Sequence, residues 1–149
     1  MLSQYLFIAG VCFLTGYIPS VSTEVILAGV GLTISLKHVL PLAALGAATQ
    51  TIAKLNLYLL AKKVIPFLSF RKLRKLVKLK KRFRTREKLS NSIIFISSLT
   101  GLPPYYFINL LCGILNTGVK TFALLGFAGM FIRFSLCLAF PHLILQWFK

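Results

Sequence analysis

A chain of 149 residues has room for one domain, and at 57% apolar and 13% charged it carries too much apolar side chain for a small core in water. Soluble domains are nearer about a quarter charged, so the expected solvent is lipid, in keeping with a mean hydropathy of +0.82. The net charge of +16 is concentrated, since thirteen of the eighteen Lys and Arg fall between Lys62 and Lys88.

In chain order, Leu2–Tyr17 is a short apolar arm. It lacks a basic start and a small-residue cleavage pattern, so it is expected to be retained rather than removed as a signal peptide. Pro19 ends it, and Val21–Leu36 forms a second short arm. His38–Ala61 is long enough to cross a bilayer, and its Lys54 is expected to snorkel to the near surface. Ser90–Gly101 and Tyr105–Asn116 are again short, with Pro103 and Pro104 between them. Thr121–Phe148 is a second expected span, interrupted only by Arg133.

Between the halves lies the basic stretch. Its Phe70, Leu73, Leu76, Val77 and Phe83 recur at three- and four-residue steps, which predicts an amphipathic helix. Arg71, Lys72, Arg74, Lys75, Lys78, Lys81 and Arg82 supply its basic face, the expected contact with anionic lipid headgroups at the membrane surface. No nucleic-acid reading motif accompanies these residues, so nucleic acid is not an expected partner. Short loops rich in Lys and Arg stay in the cytoplasm, which places this linker inside and both termini outside.

The two halves share a plan. "YIPSVSTEVILAGVG" and "GLPPYYFINLLCGIL" both place a glycine ten residues after a proline, Pro19 to Gly29 and Pro103 to Gly113. The spans that follow contain "GAATQ" and "GMFIR", which set Gln50 and Arg133 at matching places. Two short arms around a proline break read as a re-entrant hairpin, with Gly29 and Gly113 as close-packing positions. One crossing per unit inverts the second hairpin against the first, so their tips are expected to meet near the midplane, a plan used by secondary transporters.

Glu24 and Glu87 are the only acidic residues. Glu24 falls just past the first break, at the start of a helix whose N-terminal end favours a carboxylate. Ser20, Ser22 and Thr23 are candidate caps for the same helix. Arg133 sits too deep to snorkel, and its expected partner is Glu24, with Gln50 as a third polar member of a transport site. A purely structural pairing of Glu24 with Arg133 is the competing reading. Cys12, Cys112 and Cys137 lack metal-ligand spacing and read as small buried hydrophobes, while His38 and His142 read as interfacial polar residues. No paired carboxylates, nucleophile set or ligand cluster is present in the pattern, so neither enzymatic activity, a metal nor a cofactor is expected.

"PSVSTE" (Pro19 to Glu24) with Ala28-Gly29, "GLPPYYFINLLCG" (Gly101 to Gly113) and "FIRF" (Phe131 to Phe134) together resemble the DedA family, also called the VTT or SNARE-associated membrane protein superfamily, in its small minimal branch. Relatives often read Gly-Arg-x-x-Arg-Phe where this chain has Gly129-Met130-Phe131-Ile132-Arg133-Phe134. The resemblance implies two facing re-entrant hairpins. It also implies movement of a polyprenyl phosphate or phospholipid across a bacterial cytoplasmic membrane, with Glu24 and Arg133 as the hairpin acid and essential arginine.

The expected fold is therefore an all-α integral membrane protein. It is an inverted repeat of a re-entrant helical hairpin plus a transmembrane helix, joined by an amphipathic basic linker helix. Repeat one is 1–62, the linker 63–89 and repeat two 90–149. The expected function is lipid or small-anion transport, with homo-oligomerisation left open. The alternative is a non-transporting membrane scaffold whose basic linker docks anionic lipid or a cytoplasmic partner.

Overall fold

The computed structural model describes residues 2–18, 22–64, 87–102, 104–115 and 117–147, and all its regular elements are helical. They are α1 (Leu2–Tyr17), α2 (Thr23–Gly31), a single 3-10 turn (Leu36–His38), α3 (Val39–Val64), α4 (Glu87–Thr100), α5 (Tyr105–Leu115) and α6 (Val119–Trp147). The basic linker, with Arg71, Lys72, Arg74, Lys75, Lys78, Lys81 and Arg82, lies outside the described residues, as do Pro19, Ser20 and Pro103.

Both expected breaks are present. Helix α1 stops at Tyr17 and α2 starts at Thr23; α4 stops at Thr100 and α5 starts at Tyr105. Helices α1 and α2 pack on each other, as do α4 and α5, so each pair is a helical hairpin. At 1.5 Å per residue the arms are about 24, 14, 21 and 17 Å long, each short of the ~30 Å hydrocarbon thickness of a bilayer. Beyond α4 the chain turns at Gly101, whose φ of 76° is open to glycine and strained for other residues. Its N–H donates to the Ser97 carbonyl at 2.9 Å, closing the helix end, and Pro104 follows within three residues.

The long helices differ. Helix α6 holds a stretch, Val119–Leu143, that is long and apolar enough to cross a membrane, with a hydropathy of 1.9 in its most apolar window. Helix α3 has 26 residues and the length to span, but Thr49, Gln50, Thr51, Lys54 and Asn56 dilute its apolar character. The expectation that His38–Ala61 is a second apolar span is corrected on this point: among the described residues α6 alone qualifies on both length and apolarity.

Contacts divide the chain into two compact units that cut across the chain order of the repeats. Unit one is Met1–Ala53 with Met130–Lys149, and unit two is Lys54–Gly129. Unit one thus holds the first hairpin, the start of α3 and the end of α6. Unit two holds the second hairpin, the start of α6 and the end of α3. In unit one Gly31 packs against α6, where an added Cβ would lie 2.7 Å from the Leu138 carbonyl oxygen and 3.2 Å from Pro141 Cγ. In unit two Gly113 packs against α3, where an added Cβ would lie 2.5 Å from the Tyr58 carbonyl oxygen and 2.8 Å from Ala61 Cβ. Gly113 is a close-packing position, as expected. Gly29 is not: it faces open space, and Gly31 makes the close approach, because two residues along a helix turn the side chain to the far side.

Around an apolar core, large apolar side chains also cover the outside, and several polar ones are buried. Leu6, Phe7, Leu14, Val25, Leu40, Phe107, Leu124 and Leu136 are each more than half exposed, whereas Thr15, Thr23, Gln50, Thr51, Ser97, Ser98 and Asn109 are buried. A water-soluble domain buries the first kind and shows the second.

The core of unit two is an aromatic stack. Tyr105 lies on Phe122 with rings 5.9 Å apart and nearly parallel, and Phe122 lies on Tyr58 at 5.2 Å. The Tyr58 hydroxyl donates to the Thr117 carbonyl, and Ser98 donates to the Leu125 carbonyl at 3.3 Å, tying α4 to α6. Lys54 does not reach outward. Half-buried, its ammonium sits 4.4 Å from the centre of the Tyr105 ring, whose face attracts a cation.

Candidate functional site

Glu24 occupies the first turn of α2, the position expected for it. Arg133 is the midpoint of α6, with 119–132 before it and 134–147 after it, so about 21 Å of helix lies on either side. Within unit one the two side chains meet: Arg133 Nη2 lies 2.6 Å from Glu24 Oε1. The arginine side chain is 26% exposed and the glutamate 33%, so the pair is sheltered without being sealed. The helix end at Thr23 adds a partial positive charge beside the carboxylate.

Gln50 joins from α3. It is buried, and its Nε2 donates to Thr23 Oγ1 at 3.3 Å. Thr23 in turn donates to Thr15 Oγ1 at 3.0 Å, and Thr15 donates to the Cys12 carbonyl at 3.3 Å. This buried thread links α3, α2 and α1, and it ties down the residue next to Glu24. All three expected site residues, Glu24, Arg133 and Gln50, therefore belong to one corner of unit one. Gln50 supports the pair through Thr23 rather than touching Arg133 in any described bond.

Two expectations at this corner change. Ser22 is the N-cap of α2 by position, with φ −75° and ψ 97°, yet its side chain makes no capping bond. The Thr23 hydroxyl, also a candidate cap, is turned to Thr15 instead. Thr15 itself was not singled out by the sequence. A threonine in an apolar helix ordinarily bonds its own preceding turn, as Thr15 also does, and nothing in the pattern marks its second partner.

The ion pair can hold its two charges neutral in the absence of an anion, and it can offer the planar guanidinium fork to an arriving oxyanion. Among the described residues no group of three or more His, Cys, Asp or Glu side chains gathers, and the three cysteines are free thiols. His142 is part-buried in α6 with Nε2 unpartnered among the described residues. No family model matches the chain, and neither does any curated protein or solved structure, which leaves the DedA resemblance resting on the short motifs that carry it.

Proposed function

We propose that this chain is a multi-pass membrane protein of the DedA type that moves an anionic lipid, or a small anion, across the bilayer. The observation that carries the reading is the 2.6 Å Glu24–Arg133 pair at the midpoint of α6, the one described helix both long and apolar enough to cross a membrane. An intramembrane ionisable pair is a mark of a transport pathway. The many large apolar side chains on the outside support lipid as the surrounding medium. The make-up of the units, each a hairpin with one part of α3 and one part of α6, supports an inverted repeat.

In this reading the empty site is neutral, with Arg133 held by Glu24. An anionic headgroup competes for the guanidinium, and Glu24 is released to take a proton or turn away. Gln50 and Thr23 keep the start of α2 in place during the exchange. The test is headgroup translocation in liposomes carrying the purified chain, with phosphate-bearing and zwitterionic fluorescent lipids. Faster movement of the phosphate-bearing lipid than in protein-free vesicles is expected, and equal rates with and without protein would sink the reading.

The topology gives a second expected result. Cysteines introduced singly into 71–82, with Cys12, Cys112 and Cys137 replaced, should react only with a reagent admitted to the cytoplasmic side. Labelling of that segment from outside intact cells would overturn the orientation.

A further inference from the structure

Unit two contains a polar side chain whose packing leaves it unanswered. Asn109, on α5, is completely buried, and neither Nδ2 nor Oδ1 has a hydrogen-bond partner among the described residues. Buried amides are nearly always paired, because an unmet donor and acceptor forfeit their hydration without return.

The surroundings of Asn109 follow from its neighbours on the helix. Tyr105, Asn109 and Gly113 are four residues apart and share one face of α5. At one end of that face the Tyr105 ring carries the ammonium of Lys54; at the other, Gly113 abuts Tyr58 and Ala61. Lys54, Tyr58 and Ala61 are successive turns of α3. Asn109 therefore lies along the same stretch of α3, one turn from the ring that holds a cation.

We propose that Asn109 and Lys54 form a second binding site, within unit two, for the phosphate-type headgroup of an anionic amphiphile. The amide suits such a group, since its N–H donors face a phosphate oxygen and its carbonyl accepts from a headgroup hydroxyl or a protonated phosphate. Lys54 supplies the charge, and the Tyr105 face positions the ammonium. Unit two also exposes large apolar side chains, Leu102, Phe107 and Leu124 among them, as a surface that meets alkyl chains does. The proposal rests on the reading of the chain as a carrier of anionic lipid, and it adds a site that does not involve Glu24 or Arg133.

The test is the binding of dodecyl phosphate to the full chain in dodecyl maltoside, followed by the rise in melting temperature with ligand. Inorganic phosphate and dodecylphosphocholine serve as comparators. The titration is run on the wild type and on a Glu24→Gln/Arg133→Gln double variant, so that unit two is read without the unit-one pair. Saturable binding of dodecyl phosphate is expected in both. Asn109→Leu removes the unmet amide, so it should melt no lower than its parent while binding roughly tenfold more weakly or worse. Lys54→Met should weaken binding to a similar degree, and it carries the test if Asn109→Leu does not fold. Unchanged binding in these variants overturns the second site and leaves the Glu24–Arg133 reading standing. Loss of binding in the double variant alone assigns the headgroup to unit one and also overturns it. Equal affinity for inorganic phosphate would show that an amphiphile is not the ligand, and absence of saturable binding to the wild type would end the proposal.

Discussion

On the proposed function, Glu24→Gln and Arg133→Lys should each slow lipid transport about tenfold or more, the loss that follows from removing about 1.4 kcal/mol of a contact made during the crossing. The geometry explains why such small changes matter. Glu24→Gln removes the charge that Arg133 rests against at 2.6 Å, so the guanidinium has no place to return to when the anion leaves. Arg133→Lys keeps the charge but replaces a planar fork with a point, which cannot hold two oxygens of a headgroup at once. The double variant Glu24→Gln/Arg133→Gln separates function from support. Breaking a fully buried pair from one side costs about 3–5 kcal/mol, while removing both charges together is near neutral. This pair keeps a quarter to a third of its surface, so a single loss should cost less, about 1–3 kcal/mol, after allowance for screening. A transport site predicts a double variant as stable as the wild type and still inactive. Recovery of both melting temperature and transport in the double variant would show that the pair only braces the fold.

Gly113→Val is expected to be the most damaging packing change, lowering stability by about 3 kcal/mol or more. The first added carbon would sit 2.5 Å from the Tyr58 carbonyl oxygen, and that atom belongs to helix backbone that cannot step aside. Helices α5 and α3 would have to separate at the level of the Tyr58–Phe122–Tyr105 stack. Gly31→Val should act alike in unit one, against the Leu138 carbonyl. Gly29→Ala is the control: it meets nothing within 4 Å, and alanine favours the helix by about 0.5–1 kcal/mol. Melting temperature in detergent decides the matter. A Gly113→Val protein that melts with the wild type would mean that the helices do not approach as closely as described.

The breaks were legible in the sequence because proline acts locally: it ends a helix whatever surrounds it. The pairing of Glu24 with Arg133 was legible for the opposite reason, scarcity, since a deep cation in this chain has few anions to choose from. What failed to show depended on phase and partners. Gly29 and Gly31 both fit a glycine-at-the-interface pattern, and only the angle at which α2 meets α6 selects one of them. Lys54 looked free to reach a surface because Tyr105, fifty-one residues later (105 − 54), could not be placed beside it. The apolar reading of His38–Ala61 counted its length and passed over its amides and hydroxyls, two of which, Gln50 and Thr51, are buried. Asn109 carried the least warning. A lone asparagine in an apolar arm is unremarkable until its burial and empty hydrogen-bond slots are seen together.

The hydroxyl thread beside the ion pair also has a direction. Gln50 begins it with an amide N–H, which can only donate, and the Cys12 carbonyl ends it with an oxygen, which can only accept. Thr23 and Thr15 between them both pass their hydrogen the same way. A proton relay needs a first member that releases a proton and a set of bonds that can all reverse afterwards. This thread has neither, so it is an insulator and not a wire. On the proposed function, a proton that accompanies an anion through unit one does not pass along this thread, and Glu24 is the one carboxyl of that unit placed to carry it. Coupling to a proton gradient would be lost with Glu24→Gln and kept when Thr15 or Thr23 becomes valine.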